Sequence, residues 1–410
     1  MEDSIIDKII LNSQKQIRWA AGFTKKRYLF GDAMGIDSEY FVGIKGLRGI
    51  GKTVMMLQMA KETKDSVYLS ADSTTMKPFS IYDIIAKLVK RGFSSIFIDE
   101  IHRKSGWDTD VKSIYDEHEA RVVFSGSSAL DITRTAADLS RRVVLKELLP
   151  VSLREYMNIN KGMDLPPAAF NEILENKSRL AVKHAGIHEH IGEYMKYGGV
   201  LYPRNGFFEA MGNAIRKVVL QDLSALRDVN IKYETDVYKL LYTVAKSPPF
   251  ETNYSSIASA LEVSKTMAVR IVSDLQGTGL IKVVFPCASR GVNVKKEPKI
   301  YLSVPLREFF AESGIEVDKG AMREEFFVNH ACGTGSISGK PAASSSSGGP
   351  GICYIKGGRG EKTPDFRCMG VTIEVGGPSK TGRQHPDYIA ADGLASDGDK
   401  IPLFLFGFLY

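Results

Sequence analysis

A chain of 410 residues is longer than one ordinary hydrophobic core serves, so two or three domains are expected. Its 43% hydrophobic and 25% charged residues are those of a soluble globular protein, and no apolar run approaches the roughly 20 residues that span a bilayer, which excludes a membrane-embedded class. The net charge of +6 permits a nucleic-acid partner without demanding one. Cys287, Cys332, Cys353 and Cys368 lie far apart with no C-x-x-C pair. That spacing argues against a zinc ribbon or a disulfide framework, and a reducing cytoplasm fits. The opening Met1-Glu2-Asp3-Ser4 has neither the basic patch nor the apolar stretch of a signal peptide, so a cytoplasmic location is expected.

Residues 4 to 30 set Ile5, Ile6, Ile9, Ile10, Ile17 and Trp19 among lysines and arginines, the pattern of an amphipathic helix packed on the domain after it. Tyr40 to Ile44 reads as a short buried strand. It runs into Gly46-Leu47-Arg48-Gly49-Ile50-Gly51-Lys52-Thr53, which fits the phosphate-binding pattern G-x-x-x-x-G-K-[ST] at every specified position. The glycines let successive N–H groups curl round a phosphate; Lys52 would reach the β- and γ-phosphates, and Thr53 would offer its hydroxyl to Mg²⁺. A helix over Val54 to Lys61 completes the strand–loop–helix order that the motif requires.

Ser66 to Ser70 predicts a second strand and Ile81 to Val89 a helix. Ser94-Ser95-Ile96-Phe97-Ile98-Asp99-Glu100 is a hydrophobic strand closed by two carboxylates. If that strand lies parallel to the one feeding the loop, Asp99 holds Mg²⁺ and Glu100 orients or deprotonates the attacking water. Arg121 to Ser128 is a further strand with a hydroxyl-rich end, where Ser127 or Ser128 would contact the γ-phosphate or the lytic water. Arg134, Arg141 and Arg142 are candidates for an arginine finger in a neighbouring subunit of a homo-oligomer, or for surface ion pairs. No N-K-x-D run occurs, so the nucleotide is expected to be ATP.

These elements, with Ser140-Arg141-Arg142, Leu149-Pro150-Val151-Ser152-Leu153-Arg154-Glu155-Tyr156 and Tyr194-Met195-Lys196-Tyr197-Gly198-Gly199-Val200-Leu201-Tyr202-Pro203, resemble the archaeal and bacterial AAA+-like ATPases that carry a C-terminal domain of uncharacterised function. Tyr202 intrudes before the proline of that family's Gly-Gly-Phe-Pro segment. The resemblance implies an α/β fold: a P-loop NTPase core with a parallel sheet over residues 1–158 and a helical lid over 159–232. His184, His188 and His190 lack the H-E-x-x-H spacing, so a solvated histidine-rich helix is expected there.

Residues 233–298 read as helix, turn, serine-capped helix and β-wing, a winged helix-turn-helix with Ser264, Lys265, Thr266 and Arg270 on the recognition helix, suited to DNA or to a protein partner. Residues 299–410 form the last domain, which includes a low-complexity stretch from Gly333 to Gly351. There the order Asp365, Glu374, Lys380, Gln384 is similar to the PD-(D/E)XK nuclease fold. Gly376 stands where that pattern has its lysine, with Lys380 several residues beyond, so a nuclease-like fold is expected more than nuclease activity. The combined expectation is a Mg²⁺-dependent ATPase acting on a DNA or protein partner. The alternatives are a nucleotide-gated switch with negligible hydrolysis and an ATP-regulated metal-dependent nuclease.

Overall fold

β1 (Phe41–Lys45), β2 (Ser66–Ser70), β3 (Ser95–Asp99), β4 (Arg121–Gly126) and β5 (Val143–Glu147) form one sheet in the order β2-β3-β4-β1-β5, and every pairing is parallel. The computed structural model describes residues 3–126, 139, 141–223, 231–249, 251–289, 291–332, 351–358, 361, 363–382 and 384–410. The chain divides into two units, residues 1–148 with 220–228, and residues 149–219 with 229–410. Among the described residues no helix is long and apolar enough to cross a membrane.

In the first unit the strands are apolar because a parallel sheet is covered on both faces. All of β3 is buried, and Ile96 and Ile98 sit in the same core as Val67, Leu69, Val122 and Phe124. α1 (Asp3–Ala20) turns Ile6 and Ile9 onto this core beside β2, the strand at one edge. Its Ser13 Oγ accepts from the Tyr68 N–H at 2.8 Å, so a backbone donor of the edge strand is satisfied by a side chain. α2 (Leu29–Met34) and α3 (Lys52–Glu62) come next. α4 (Ile81–Lys90) begins at Ser80, whose side chain accepts from Asp83 N, and buries Ile81, Ile84, Ile85 and Leu88 at helical spacing. α5 (Trp107–Glu117) adds Trp107, Val111 and Ile114.

The second unit gives physical roles to two of the stretches that carry the family resemblance, Leu149 to Tyr156 and Tyr194 to Pro203. Ser152 and Glu155 form a reciprocal capping box at the start of the Leu153–Lys161 helix, so the Ser-x-x-Glu spacing is a helix-start device. Val151 pairs with Gly199 across an antiparallel bridge, its N–H donating to the Gly199 carbonyl at 2.8 Å, and the Tyr194 hydroxyl donates to the Val151 carbonyl at 2.8 Å. The two motifs therefore meet.

Helices Ile231–Lys246, Tyr254–Leu261 and Lys265–Thr278 lead into the antiparallel pair β6 (Ile281–Val284) and β7 (Lys299–Leu302). The predicted serine cap is present, Ser264 accepting from Met267 N. A second sheet runs β12-β11-β10-β9-β8, from β8 (Ile352–Tyr354), β9 (Phe366–Cys368), β10 (Val371–Gly376), β11 (Tyr388–Ala391) and β12 (Lys400–Pro402). β10, β11 and β12 pair in parallel, and β8, β9 and β10 antiparallel. The Lys319–Ala331 helix packs on β10.

One expectation is corrected: Cys287 and Cys353 form a disulfide, with Cα atoms 5.1 Å apart. Pro286 bridges Tyr354 in parallel and Cys287 N donates to the Tyr354 carbonyl, so strand register aligns two cysteines separated by 66 residues. Spacing along the chain carries no sign of this.

The second unit also buries an ion pair. Arg307 donates through Nε and Nη2 to the two oxygens of Glu325, each at 2.8 Å, and through its other N–H groups to the carbonyls of Val244, Ala245 and Ser247. Arg307→Met leaves the Glu325 carboxylate buried without its counter-charge. The expected loss, read by urea unfolding, is about 3–5 kcal/mol, and Glu325→Leu in the same chain should restore most of it. If the single and double variants are equally unstable, the pair is not what holds this region.

Candidate functional site

The sheet order determines what faces what. β1 lies beside β4 and β4 beside β3, so the loop after β1 and the carboxylates at the end of β3 emerge on one edge of the sheet. The loop itself is shaped by close approach. A Cβ on Gly46 would lie 2.5 Å from the Leu148 carbonyl oxygen and 2.6 Å from Ile50 Cδ1, so no other residue fits. Gly51 takes φ 92° as the N-cap of α3, a left-handed turn that aims the first N–H groups of the helix back over the loop. The guanidinium of Arg27, itself buried, donates to the Ile50 carbonyl and pins the loop from beneath.

Lys52 is only 5% exposed. Its ammonium donates to the Gly46 and Leu47 carbonyls at 2.7 and 2.9 Å. Burial pulls its pKa below the ordinary lysine value, while the charges of Glu100 and Asp99 pull the other way. A cation held against desolvation by carboxylates and loop carbonyls is poised to accept an anionic partner.

Asp99 gathers the hydroxyls. Thr53 Oγ1 donates to its Oδ2 at 2.6 Å, Tyr68 donates to the same oxygen at 2.8 Å, and Ser125 donates to Oδ1. Burial, and next the Asp99 charge and hydrogen bond, push the Tyr68 phenol far above its ordinary pKa, so it stays a neutral donor. Glu100 comes next with φ 54° and ψ 42°, a left-handed conformation unusual for a glutamate, and its N–H donates to Ser125 Oγ at 3.2 Å. That turn sends its carboxylate to Arg48, whose Nη2 lies 3.3 Å from Oε2. Burial raises the Glu100 pKa, opposed by Lys52 and Arg48. A carboxylate raised in this way is suited to accepting a proton.

A further acid comes from far along the chain. Asp222 is 1% exposed and takes Arg48 in a fork, Nε to Oδ2 at 3.0 Å and Nη2 to Oδ1 at 2.8 Å. Arg103 Nη2 lies 3.7 Å from Asp222 Oδ1, and His102 Nε2 lies 3.5 Å from Glu100 and 3.9 Å from Asp222. Burial pushes the His102 pKa down to about 4, so the ring is neutral at pH 7 and adds no charge to the cluster.

The structure thus brings together Gly46, Leu47, Arg48, Gly49, Ile50, Gly51, Lys52 and Thr53 with Asp99 and Glu100. Ser127, Ser128, Arg134 and Ser140 lie outside the described residues. Arg141 is exposed, and Arg142 forms an ion pair with Asp116 through Nε at 3.0 Å and Nη2 at 2.9 Å. Sequence reasoning misses Ser125, Tyr68 and Asp222. Ser125 has a signal, as the last hydroxyl inside the β4 run; Asp222 has none. The donor set fits a magnesium–triphosphate: a hydroxyl and a carboxylate oxygen 2.6 Å apart suit a hard cation, and a buried ammonium beside a helix N-terminus suits phosphate.

Residues 38–157 match the family model described as an AAA domain. Over that stretch the chain is similar to an AAA domain. Two uncharacterised proteins of Methanocaldococcus jannaschii are similar to it. One is 24% identical over 313 residues, covering 69% of this chain and 65% of that protein; the other is 24% identical over 163 residues, covering 38% and 34%. The chain therefore spans about 65% of the length of the first and 34% of the second. Solved structures aligned with it include the Aeropyrum pernix ORC1 protein in complex with DNA, at 13% identity and TM-score 0.28, covering 74% of this chain and 92% of that one. AMPPCP-bound DnaA from Aquifex aeolicus aligns at 14% identity and TM-score 0.24, covering 60% and 86%.

Outside residues 38–157, the sequence-predicted Asp365 and Glu374 line a cleft of about 400 Å³ with Lys299, Glu361, Lys380 and Gln384. The turn after β10 folds back, so Lys380 Nζ lies 2.6 Å from Glu374 Oε1 despite its later position in the sequence. A Cβ on Gly376 would lie 2.7 Å from both Cγ and Cδ of Lys380, so the glycine leaves room for the lysine stem. Glu374 is 1% exposed, its Oε2 buried with no hydrogen-bond partner. Glu324, from the Lys319–Ala331 helix, is pushed up to about 7 by burial and then by the charge of Asp365. Among the described residues no three His, Cys, Asp or Glu side chains come together as a metal-holding group. His188 and His190 make local contacts, to the Ala185 carbonyl and to Glu193.

Proposed function

We propose that the AAA domain binds ATP with Mg²⁺ and hydrolyses it, and that the turnover is coupled to a DNA or protein partner through residues 233–298 and 299–410. The observation that carries this reading is the 2.6 Å contact between Thr53 and Asp99, which puts the hydroxyl of the glycine loop and the acid of β3 on one point. Thr53 and Asp99 are the residues that would hold Mg²⁺, which when bound neutralises charge on the β- and γ-phosphates. The loop N–H groups and Lys52 bind and orient the phosphates. Glu100 accepts the proton of the attacking water, whose oxygen bonds to the γ-phosphorus as the bond to the ADP oxygen breaks.

The arrangement of three helices and the β6–β7 hairpin supports a winged helix-turn-helix in residues 233–298. Titrating the protein with labelled ATP, with and without duplex DNA, tests both parts. We expect saturable, Mg²⁺-dependent binding with phosphate release that DNA changes. Release of phosphate indifferent to DNA would move the partner to the protein class; absence of ATP binding would end the proposal.

The cleft around Glu374 favours a second reading, a metal-dependent nuclease regulated by the AAA domain. Asp365 and Glu374 would hold a divalent cation with substrate phosphate and water completing its shell, and Lys380 would supply the charge that the PD-(D/E)XK pattern takes from the position of Gly376. This reading predicts Mn²⁺-dependent cleavage of DNA that is lost in Asp365→Ala and in Lys380→Ala and reduced in Gly376→Ala, where the new methyl displaces the lysine stem. Intact DNA after incubation with the unaltered protein, ATP and Mn²⁺ would exclude it.

A further inference from the structure

The loop residue at the third position of the phosphate-binding pattern is an arginine, and its contacts are unequal. Among the described residues Arg48 is held by Asp222 through two hydrogen bonds, at 3.0 and 2.8 Å, and reaches Glu100 by one, at 3.3 Å, through the Nη2 it already shares with Asp222. A two-point fork onto a buried carboxylate fixes the plane of a guanidinium; a single long contact does not. Arg48 follows directly on Gly46 and Leu47, the two loop residues whose carbonyls hold the Lys52 ammonium at 2.7 and 2.9 Å, and its guanidinium touches Glu100 at 3.3 Å. It therefore belongs to the same loop that would receive a triphosphate.

We propose that Arg48 is a γ-phosphate-recognition residue, positioned by Asp222, that distinguishes ATP from ADP and releases Glu100 when the γ-phosphoryl takes its place on Nη2. The inference rests on the reading of the loop as a nucleotide site. The anchor persists while the weaker contact exchanges: Asp222 keeps Nε, and the phosphoryl oxygens, carrying more charge than one carboxylate oxygen, displace Glu100. Glu100, released by the arginine, then faces water. Among the described residues His102 Nε2, 3.5 Å from Glu100, and Arg103, 3.7 Å from Asp222, also stand beside the fork with Lys52 and Asp99, and all stay in place through the exchange. ADP offers nothing to Nη2, so Arg48 stays on Glu100 and the water-activating group stays engaged.

The test is equilibrium binding of fluorescent ATP and ADP to the full chain, by anisotropy, for the unaltered protein, Lys52→Ala, Arg48→Ala, Asp222→Asn, Asp222→Glu and the Arg48→Ala/Asp222→Asn pair. Arg48→Ala is expected to weaken ATP by about 30-fold and ADP by less than about threefold, the loss of one charge-assisted contact to the γ-phosphoryl. Asp222→Asn should weaken ATP by about tenfold, Asp222→Glu should recover part of this, and the pair should be no weaker than Arg48→Ala alone, because both act through one contact. Retained ADP affinity shows that each variant is folded. Equal loss of ATP and ADP in Arg48→Ala, or an Asp222→Asn effect that persists without Arg48, overturns the inference while leaving the nucleotide site intact. Unchanged ATP binding in Lys52→Ala would instead remove the nucleotide reading and this inference with it.

Discussion

Lys52→Ala is expected to abolish ATP binding at micromolar protein. The ammonium is buried, held by two loop carbonyls and drawn on by Glu100 and Asp99, so its removal takes away a cation that offsets those carboxylates where the phosphates enter. Truncating one partner of a buried charge pair costs about 2–5 kcal/mol. That is roughly 30-fold to several thousand-fold in Kd. Isothermal titration with Mg²⁺–ATP reads it directly, and circular dichroism separates lost affinity from lost fold. A Kd within about threefold of the unaltered protein would place the phosphates elsewhere.

Glu100→Gln is expected to keep ATP and lose turnover. The amide has the shape of the carboxylate but accepts no proton, and general bases contribute about 10²- to 10⁴-fold. Phosphate release should fall by that factor while ATP affinity holds or rises, since a negative charge is gone from a site for polyanions. The same measurement separates a hydrolase from a nucleotide-gated switch. In a switch the unaltered protein already turns over negligibly, and Glu100→Gln changes nothing.

The parts of this site that can be read in the sequence are those whose chemistry is local. Gly46 to Thr53 is contiguous, and the close approach at Gly46 and the left-handed turn at Gly51 need particular residue types at fixed spacing, which is why the pattern is visible. Asp99 and Glu100 are legible because an apolar run that ends in two acids marks where a buried strand emerges from its sheet. The helices beginning at Ser80 and Ser264 show a hydroxyl cap ahead of an apolar-periodic run.

Pairings between remote residues stay hidden. Asp222 meets Arg48 across 174 positions, and a lone aspartate in a helical stretch looks like any solvated acid. The disulfide depends on Pro286 finding Tyr354, and the position of Lys380 on a turn that returns the chain to Glu374. In each case the sequence contains the residues and the fold supplies their distance. The Ser-x-x-Glu and Gly-Gly stretches show the converse. In the sequence they are signs of kinship, and their physical roles, a helix cap and a bridge between Val151 and Gly199, emerge only with the backbone in view.

With Thr53 Oγ1 and Asp99 Oδ2 only 2.6 Å apart, the hydroxyl and the carboxylate should take one divalent cation together with a triphosphate. Electron paramagnetic resonance of Mn²⁺ titrated into the protein reads that shared site without relying on turnover. We expect tight Mn²⁺ binding that appears only with ATP, that is lost in Thr53→Ala and in Asp99→Asn, and that survives in Glu100→Gln. Mn²⁺ bound equally well by Thr53→Ala and Asp99→Asn in the presence of ATP would contradict a cation site built from these two residues.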